Sequence, residues 1–210
     1  MGVILSGILG GFSGKVGPVI GGNWKGIDYM KKYFIPSNPQ SVSQTAQRTK
    51  FKTVSLLASS LLGSLINTFR NPFAIKMSGY NFFIMDFIKN ASSAGLATSD
   101  CLVVNGTITK PTILSSDYTA ATGDLHIAWD PNLVGNQLNT DNVSFLALDK
   151  TNNDVLTYSP SSKVFSDGDV NITLSTGLTA ANVISYVWLS RGTGSDFLVS
   201  DSDGMVSGAV

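Results

Sequence analysis

The chain has no glutamate, one histidine and one cysteine among its 210 residues. A single cysteine excludes an intramolecular disulfide and a four-cysteine zinc site, and a single histidine excludes a histidine cluster. Any catalytic carboxylate has to be one of the 14 aspartates. Because these shortages exclude most enzyme designs, the sequence predicts a protein that is not an enzyme, with no catalytic residues, no metal ligands, no cofactor and no small-molecule substrate.

Charge is scarce as well. Charged residues make up 13% of the chain, against about 25% in an average soluble domain. No run approaches the roughly 18–20 continuous apolar residues of a membrane span. The hydrophobic share of 43% is nevertheless sufficient for a core, and the 21 glycines favour turns over long helices.

The few charges are segregated along the chain. Nine Lys and Arg residues and a single Asp occupy the first 76 residues, whereas five Lys and Arg residues and 13 Asp occupy the rest. A basic segment of this kind is typical of a partner that is nucleic acid, anionic lipid or an acidic protein surface. The alternative is that the basic segment packs on the acidic half of its own chain.

Residues 1–37 are predicted to be a glycine-rich basic arm. Short β-prone pieces at 16–20 and 23–34 lie between the glycines, so the arm is extended or folded into a pair of hairpins with little core of its own. Arms of this kind gain order by lying on another surface.

Residues 38–99 are predicted to be helical. Asn38 is a good N-cap and Pro39 suits the first helical position. An apolar stripe with spacings of three and four then runs through residues 40–69, and Asn71-Pro72 ends it. A second helix is expected over 78–90, and its nearly continuous apolar sequence requires burial on most sides.

Residues 100–210 are predicted to be all-β. Asn105-Gly106 is a strong signal for a two-residue hairpin turn, and Leu125, Ile127 and Trp129 alternate as one face of a strand. About seven or eight short strands with turn signals between them predict a β-sandwich of immunoglobulin-like architecture, with Trp129 buried. The fold class is therefore α+β: an extended arm and two helices followed by a sandwich.

The motifs that resemble chemical sites are incomplete. The glycine run at 10–16 lacks the first glycine and the Ser or Thr of a phosphate-binding loop. His126 alternates with buried positions, which predicts a surface histidine. Asp167 with Asp169, and Asp201 with Asp203, could ligate calcium, but ordinary turns favour the same residues.

The basic and aromatic side chains near the start of the chain are the candidate contact residues. Mixtures of aromatic and basic residues can stack on bases and follow phosphates, although ordinary strand packing uses the same residues. Basic residues at the start of the first helix oppose its dipole, which favours an external anionic partner. The candidate contacts for assembly or for an anionic partner are Lys15, Trp24, Lys25, Lys31, Lys32, Arg48, Lys50 and Lys52.

Two strings carry a resemblance to a known family. They are Gly11-Phe-Ser-Gly-Lys-Val-Gly-Pro-Val-Ile-Gly-Gly-Asn-Trp-Lys-Gly26 and Ser37-Asn-Pro-Gln-Ser-Val-Ser-Gln-Thr-Ala-Gln-Arg48 with Phe51 after it. These strings resemble a family of short, functionally uncharacterised proteins of Bacteroidota and their phages, in which Arg often stands at position 31 and Thr at position 41. The same patterns are similar to those of some phage structural proteins, and the resemblance implies no catalytic residue.

The resemblance and the charge pattern together predict a virion structural protein of a phage. It would be a capsid-vertex (penton), minor capsid or spike-base component that forms a homo-oligomer through its N-terminal arm and contacts other virion proteins. The genome or an anionic lipid would be further partners of the basic part. Two alternatives stay open: an adhesion module at the bacterial surface or secreted from the cell, and a nucleic-acid-binding protein that uses residues 15–52.

Overall fold

The computed structural model describes residues 3–4, 11–35, 37–193 and 196–209. The chain divides into two compact units, Met1–Ser41 and Val42–Val210. The remaining residues of the predicted arm, 1–2, 5–10 and 36, lie outside the described residues.

The first unit is a sheet of four antiparallel strands in the order β1-β2-β3-β4. The arm is thus folded into hairpins, one of its two predicted forms, but residues 23–34 are not one strand, because a turn at Lys25-Gly26 divides them. Among residues 11–35 and 37–41 only Gly21 is buried, so this sheet has hardly any core. The strands are β1 Val3–Ile4, β2 Phe12–Val16, β3 Val19–Trp24 and β4 Ile27–Lys32.

The predicted first helix is divided into two helical types. Helix α1 spans Val42–Ser60, and a π-helix spans Leu62–Arg70. At their junction the amides of Leu65 and Ile66 both donate to the carbonyl of Leu61 at 3.0 Å, so the hydrogen-bond span widens there from four residues to five. The predicted N-cap at Asn38 is therefore wrong, since α1 begins at Val42.

The second helix follows its prediction to within one residue. Helix α2 spans Gly79–Asn90, and its N-cap Ser78 accepts a hydrogen bond from the amide of Asn81. A short 3₁₀ turn, Asn71–Phe73, ends the π-helix where Pro72 was predicted to stop it.

The rest of the second unit is a β-sandwich of two mainly antiparallel sheets, which confirms the predicted α+β class. One sheet has the order β11-β10-β7-β8, with β12 also paired to β10, and the other has the order β13-β5-β6-β9. The pairing of β13 with β5 is parallel. The strands are β5 Ile113–Thr119, β6 Asp124–Trp129, β7 Asn142–Asp149, β8 Asp154–Val164, β9 Asp169–Thr173, β10 Val183–Arg191, β11 Leu198–Val199, β12 Asp203–Val206 and β13 Gly208–Ala209.

The five-stranded sheet is buried on both faces. Along β10, Val187 and Leu189 pack between the two sheets, while Tyr186 and Trp188 pack with the helices. The sandwich interior also holds Trp129, which is buried as predicted and donates its Nε1–H to the carbonyl of Phe165 at 2.8 Å. The helices and the sandwich therefore share one compact unit with three layers.

The hairpin predicted at Asn105-Gly106 is wrong. The amides of Thr107 and Ile108 both donate to the carbonyl of Val199, at 2.7 and 2.8 Å. The amide of Gly106 donates to the carboxylate of Asp201 at 2.9 Å. A Cβ on Gly106 would overlap the carbonyl of Val199, so glycine is present for a close tertiary approach rather than for a turn.

Candidate functional site

The eight candidate contact residues fall in both units. Five lie in or beside the N-terminal sheet and three lie on α1. The N-terminal set is Lys15, Trp24, Lys25, Lys31 and Lys32, and the set on α1 is Arg48, Lys50 and Lys52.

Strand register brings part of the N-terminal set onto one face of the sheet. Ile20 of β3 lies directly opposite Lys15 of β2 and Lys31 of β4. Directly opposed residues in an antiparallel sheet, and residues two apart on a strand, share a face. The aromatic-basic face defined in this way consists of Lys15, Ile20, Trp24, Ile27, Tyr29 and Lys31, with Tyr33 just beyond β4.

Lysine ammonium groups lie over aromatic rings in this unit. The Nζ of Lys15 is 3.6 Å from the centre of the Tyr33 ring. Lys31 lies over Tyr29 at 5.9 Å, and Lys25 over Trp24 at 5.1 Å. Such contacts are favourable by about 0.5–1 kcal/mol at exposed sites. They hold the positive charges in place next to apolar surface, which suits a partner that offers both negative charge and apolar contact.

The opposite face of the same sheet carries Lys32. Asp28, Met30 and Lys32 alternate with the aromatic-basic residues along β4, so they point to the other side. The Nδ2 of Asn23 donates to Asp28 Oδ1 at 2.7 Å, which fixes that carboxylate across from β3. The candidate residue Lys32 is thus separated by the sheet from Lys15 and Lys31.

Lys25 lies at the tip of the β3–β4 hairpin. Its φ of 51° and that of Gly26, 85°, are both positive, as a type I′ turn requires. The amide of Gly26 donates to Asn23 Oδ1 at 3.0 Å. The turn places Lys25 next to Trp24, over whose ring its ammonium group lies.

Large apolar side chains of this unit are strongly exposed. Trp24 and Ile27 are each 64% exposed, and Met30 is 72% exposed. Phe34 and Ile35, which follow β4, are 69% and 80% exposed. Composition alone did not single out Ile27 as a contact residue, although its alternation with Tyr29 and Lys31 on one strand was a signal that could have found it.

The three basic residues on α1 do not form one row. Arg48 and Lys52 are one helical turn apart and exposed, whereas Lys50 is partly buried. Residues four apart share a helix face, and residues two apart do not. The helix therefore presents Arg48 and Lys52 together.

In the sandwich, the outer face of the four-stranded sheet β13-β5-β6-β9 is acidic. Asp117 and Asn171 flank His126 on the neighbouring strands, and Asp124 and Asp169 lie on the same face. The Nε2 of His126 is 3.3 Å from Asp169 Oδ2. His126 is partly exposed, as predicted, and Cys101 is buried in the cluster shared with the helices.

The aspartates considered for calcium have other partners. Asp167 Oδ2 accepts from the amide of Val164 at 3.1 Å. Asp203 pairs with Lys110 Nζ at 2.8 Å and accepts from the amide of Ile113. Among the described residues, no group of three or more His, Cys or Asp side chains is placed to hold a metal ion, and no described helix combines the length and hydropathy needed to cross a membrane.

Two buried charges form an ion pair that the sequence did not reveal. Arg70 at the end of the π-helix is fully buried, and its NH1 donates to Asp86 Oδ2 at 2.7 Å. Its other nitrogens donate to the carbonyls of Leu102 and Val103. Because each polar group is paired inside the fold, this cluster joins α2, the π-helix and the 101–105 segment, and its role is structural.

Comparison with known proteins gives one match. No curated protein and no solved structure matches the chain. Residues 11–201 match the family described as "Family of unknown function (DUF6266)". The match begins in the N-terminal sheet and ends within the sandwich, so both units contribute to it. The chain therefore belongs to the DUF6266 family.

Proposed function

We propose that the protein is a structural, non-enzymatic component of a phage particle that self-assembles through its N-terminal sheet. The observation that carries this proposal is the exposure of Trp24, Ile27, Met30, Phe34 and Ile35 in a unit that buries only Gly21 among residues 11–35 and 37–41. Trp24 and Ile27 lie directly opposite each other on one face, and monomeric soluble proteins rarely expose large contiguous apolar patches. A partner that covers this surface gives the sheet the burial that it lacks.

Energetic considerations support a macromolecular partner. Full burial of a large apolar side chain is favourable by about 1.5–3 kcal/mol. A small sheet needs a packed face for stability in water. Several exposed apolar side chains on one small unit therefore supply enough free energy for a stable protein interface, with Trp24 as its natural anchor because Trp is enriched at interface centres.

The charge distribution supports a second copy of the same chain as the partner. Four lysines and one Asp occupy residues 1–41, whereas residues 100–210 contain 12 Asp and four Lys or Arg. Copies of a chain with opposite charges in its two parts attract one another, and charge complementarity speeds and orients association. Repeated contacts between identical chains produce the symmetric assemblies of which particles are built.

The phage context comes from the resemblance of residues 11–51 to proteins of Bacteroidota phages. A virion component needs no catalytic centre, and it needs a surface that binds copies of itself or neighbouring proteins. The exposed N-terminal sheet supports that second requirement.

Light scattering coupled to gel filtration tests the proposal on the full chain and on residues 42–210. We expect a defined oligomer for the full chain and a folded monomer for the shorter one, because the second unit keeps its own core. A monomeric full chain at all accessible concentrations would overturn the proposal, as would an unchanged oligomer after removal of residues 1–41.

A second candidate function is favoured by the aromatic-basic face alone. Lysines held over Tyr29 and Tyr33 resemble the mixture with which proteins stack bases and neutralise phosphates of single strands. Fluorescence anisotropy with a labelled oligonucleotide tests it. Binding that is lost when Lys15 and Lys31 are both changed to Ala, and kept when Lys32 on the other face is changed, would favour this candidate.

A further inference from the structure

We propose that β4 is a self-complementary edge strand, through which two copies of the chain pair antiparallel about a two-fold axis at Met30. This inference rests on the proposed self-assembly and names its contact. The pairing joins two four-stranded sheets into one continuous sheet of eight strands.

The first observation is that β4 has one strand partner among the described strands. It pairs with β3 along its whole length, and its other edge pairs with no described strand. All six of its residues are exposed. An exposed edge presents a row of backbone donors and acceptors to another strand.

The tight turn determines which backbone groups that edge presents. In a two-residue hairpin the residues that flank the turn, here Trp24 and Ile27, form a hydrogen-bonded pair, and the pattern then alternates. The amide of Tyr33 follows this alternation, since it points toward β3 and donates to the carbonyl of Pro18 at 2.7 Å. The N–H and C=O groups of Asp28, Met30 and Lys32 therefore point outward.

The charges then select one register. A two-fold axis at Met30 places Asp28 of each copy opposite Lys32 of the other, which gives two opposite-charge pairs. It also places Tyr29 opposite Lys31 on the aromatic-basic face, where they can repeat the lysine–ring contact already present within each copy.

Neighbouring registers are less favourable. A shift of two residues one way places Lys31 opposite Lys31, and like charges directly opposite destabilise a sheet. The opposite shift places Asp28 against Met30 and moves Lys32 to the level of the turn glycine, so both charge pairs are lost. Only the register centred on Met30 satisfies the charges and the outward backbone groups together.

The partner residues are already positioned in the single chain. The hydrogen bond from Asn23 holds the Asp28 carboxylate, and a carboxylate has acceptor capacity beyond one such bond. Met30, which lies on the axis, is 72% exposed and would be covered by its counterpart. Because the axis is perpendicular to the sheet, the aromatic-basic faces of both copies lie on one side and double its area.

Oxidative cross-linking of the full chain tests the axis. Two Cys at position 30 would have Cα atoms about 5.5 Å apart, within the roughly 4.4–6.8 Å that a disulfide spans. We expect Met30→Cys to give a covalent dimer. The matched control Lys25→Cys should not, because Lys25 lies outside the pairing and its two copies are ten residues from register, about 33 Å along the strand direction. The natural Cys101 is buried. Equal cross-linking of both variants, or of neither, would overturn the register.

Charge reversal tests the pairing independently. Lys32→Asp places an aspartate opposite Asp28 at both symmetry-related positions of the dimer. We therefore expect the dimer dissociation constant, measured by analytical ultracentrifugation, to rise about ten-fold. Adding Asp28→Lys in the same chain exchanges the partners and should restore affinity to within about three-fold. Lys25→Asp is the control of equal charge change outside the pairing, and a loss as large as that of Lys32→Asp, or failed restoration, would overturn the proposal.

The proposed self-assembly and the proposed β4 pairing can be overturned separately. A full chain that assembles, loses assembly without residues 1–41, and yet gives no cross-link at Met30 would overturn the β4 pairing and support assembly through another part of the N-terminal unit. A full chain that remains monomeric would overturn both.

Discussion

Arg70 is a charged residue whose guanidinium is fully buried. It is tolerated because Asp86 neutralises it and the carbonyls of Leu102 and Val103 accept hydrogen bonds from its NH2 and Nε. The rings of Phe82 and Phe83 lie 4.8 and 5.8 Å from its guanidinium carbon. A buried pair contributes little over an apolar core when complete, but breaking it leaves an uncompensated charge.

Replacing Arg70 should therefore be costly. Arg70→Ala leaves Asp86 buried without its guanidinium partner, and we expect the free energy of unfolding to fall by about 3–5 kcal/mol. Lys89→Ala is the control, since Lys89 binds the same carboxylate from an exposed position and its loss should cost at most about 1 kcal/mol. Urea unfolding followed by circular dichroism measures both. Similar losses for the two variants would contradict this account.

The ionisation of Asp86 gives this ion pair a pH dependence. Burial opposes the charged form, but hydrogen bonds from Arg70 and Lys89 outweigh it, so the pKa of Asp86 lies below its ordinary value. A lowered pKa stabilises the folded state above the unfolded value, about 3.9, and that contribution is lost as the pH falls through the folded value.

We accordingly expect the stability difference between the natural chain and Asp86→Asn to be largest near pH 6 and to shrink below about pH 4, where the carboxyl of the unfolded chain is protonated. Urea unfolding at a series of pH values measures it. A difference that stays constant down to pH 3 would contradict the assignment.

At the scale of elements, Gly106 shows how a tertiary contact overrides a local turn signal. Asn-Gly predicts a hairpin, but here the glycine lets the chain approach Val199. Gly106→Ala should destabilise the second unit by about 1–3 kcal/mol, because the new methyl has to displace backbone. Gly63→Ala is the matched control: a Cβ there meets no atom within 4 Å, and Ala favours helix by up to about 1 kcal/mol. Thermal unfolding separates the two.

The elements that the sequence predicts well are those whose signals are local. A nearly continuous apolar run predicts α2 to within one residue, and alternation at Leu125, Ile127 and Trp129 predicts the buried face of β6. The π-helix could not be predicted, because an apolar stripe fits either helical type. Burial of Leu146 and Leu148 was also missed, since only the packed helices explain the second buried face of β7.

The candidate site was predicted as a composition rather than as a geometry. Lys15 and Lys31 were expected to act with Lys32, but register places Lys32 on the opposite face. Strand parity depends on where the turn lies, and the chain places it at Lys25-Gly26 within the stretch that looked like one strand. A turn displaced by one residue would have exchanged the two faces.

The shared core of helices and sandwich makes a prediction about fragments. Tyr186 and Trp188 on the five-stranded sheet are covered by helical residues. A chain of residues 100–210 would expose them, and we expect it to aggregate or to lose its near-ultraviolet circular dichroism, whereas residues 42–210 should unfold cooperatively. A soluble, cooperatively folded 100–210 fragment would show that the sandwich is independent of the helices.

At the scale of the whole molecule, the response to salt distinguishes self-assembly through β4 from nucleic-acid binding. Dimerisation through β4 uses two exposed Asp28–Lys32 pairs together with backbone hydrogen bonds and apolar burial. Salt screens exposed pairs, but it does not weaken apolar burial. Self-association should therefore depend only weakly on ionic strength.

Nucleic-acid binding would respond differently, because each neutralised phosphate releases a counterion. If the four lysines of the N-terminal unit all contacted a single strand, the logarithmic salt slope would approach about −3. We expect ultracentrifugation between 50 and 500 mM salt to give a dimer constant that changes by less than about ten-fold. A steep loss of self-association would instead indicate that charge, rather than strand pairing and apolar contact, holds the copies together, and it would move the interface from the edge of β4 to the acidic sandwich.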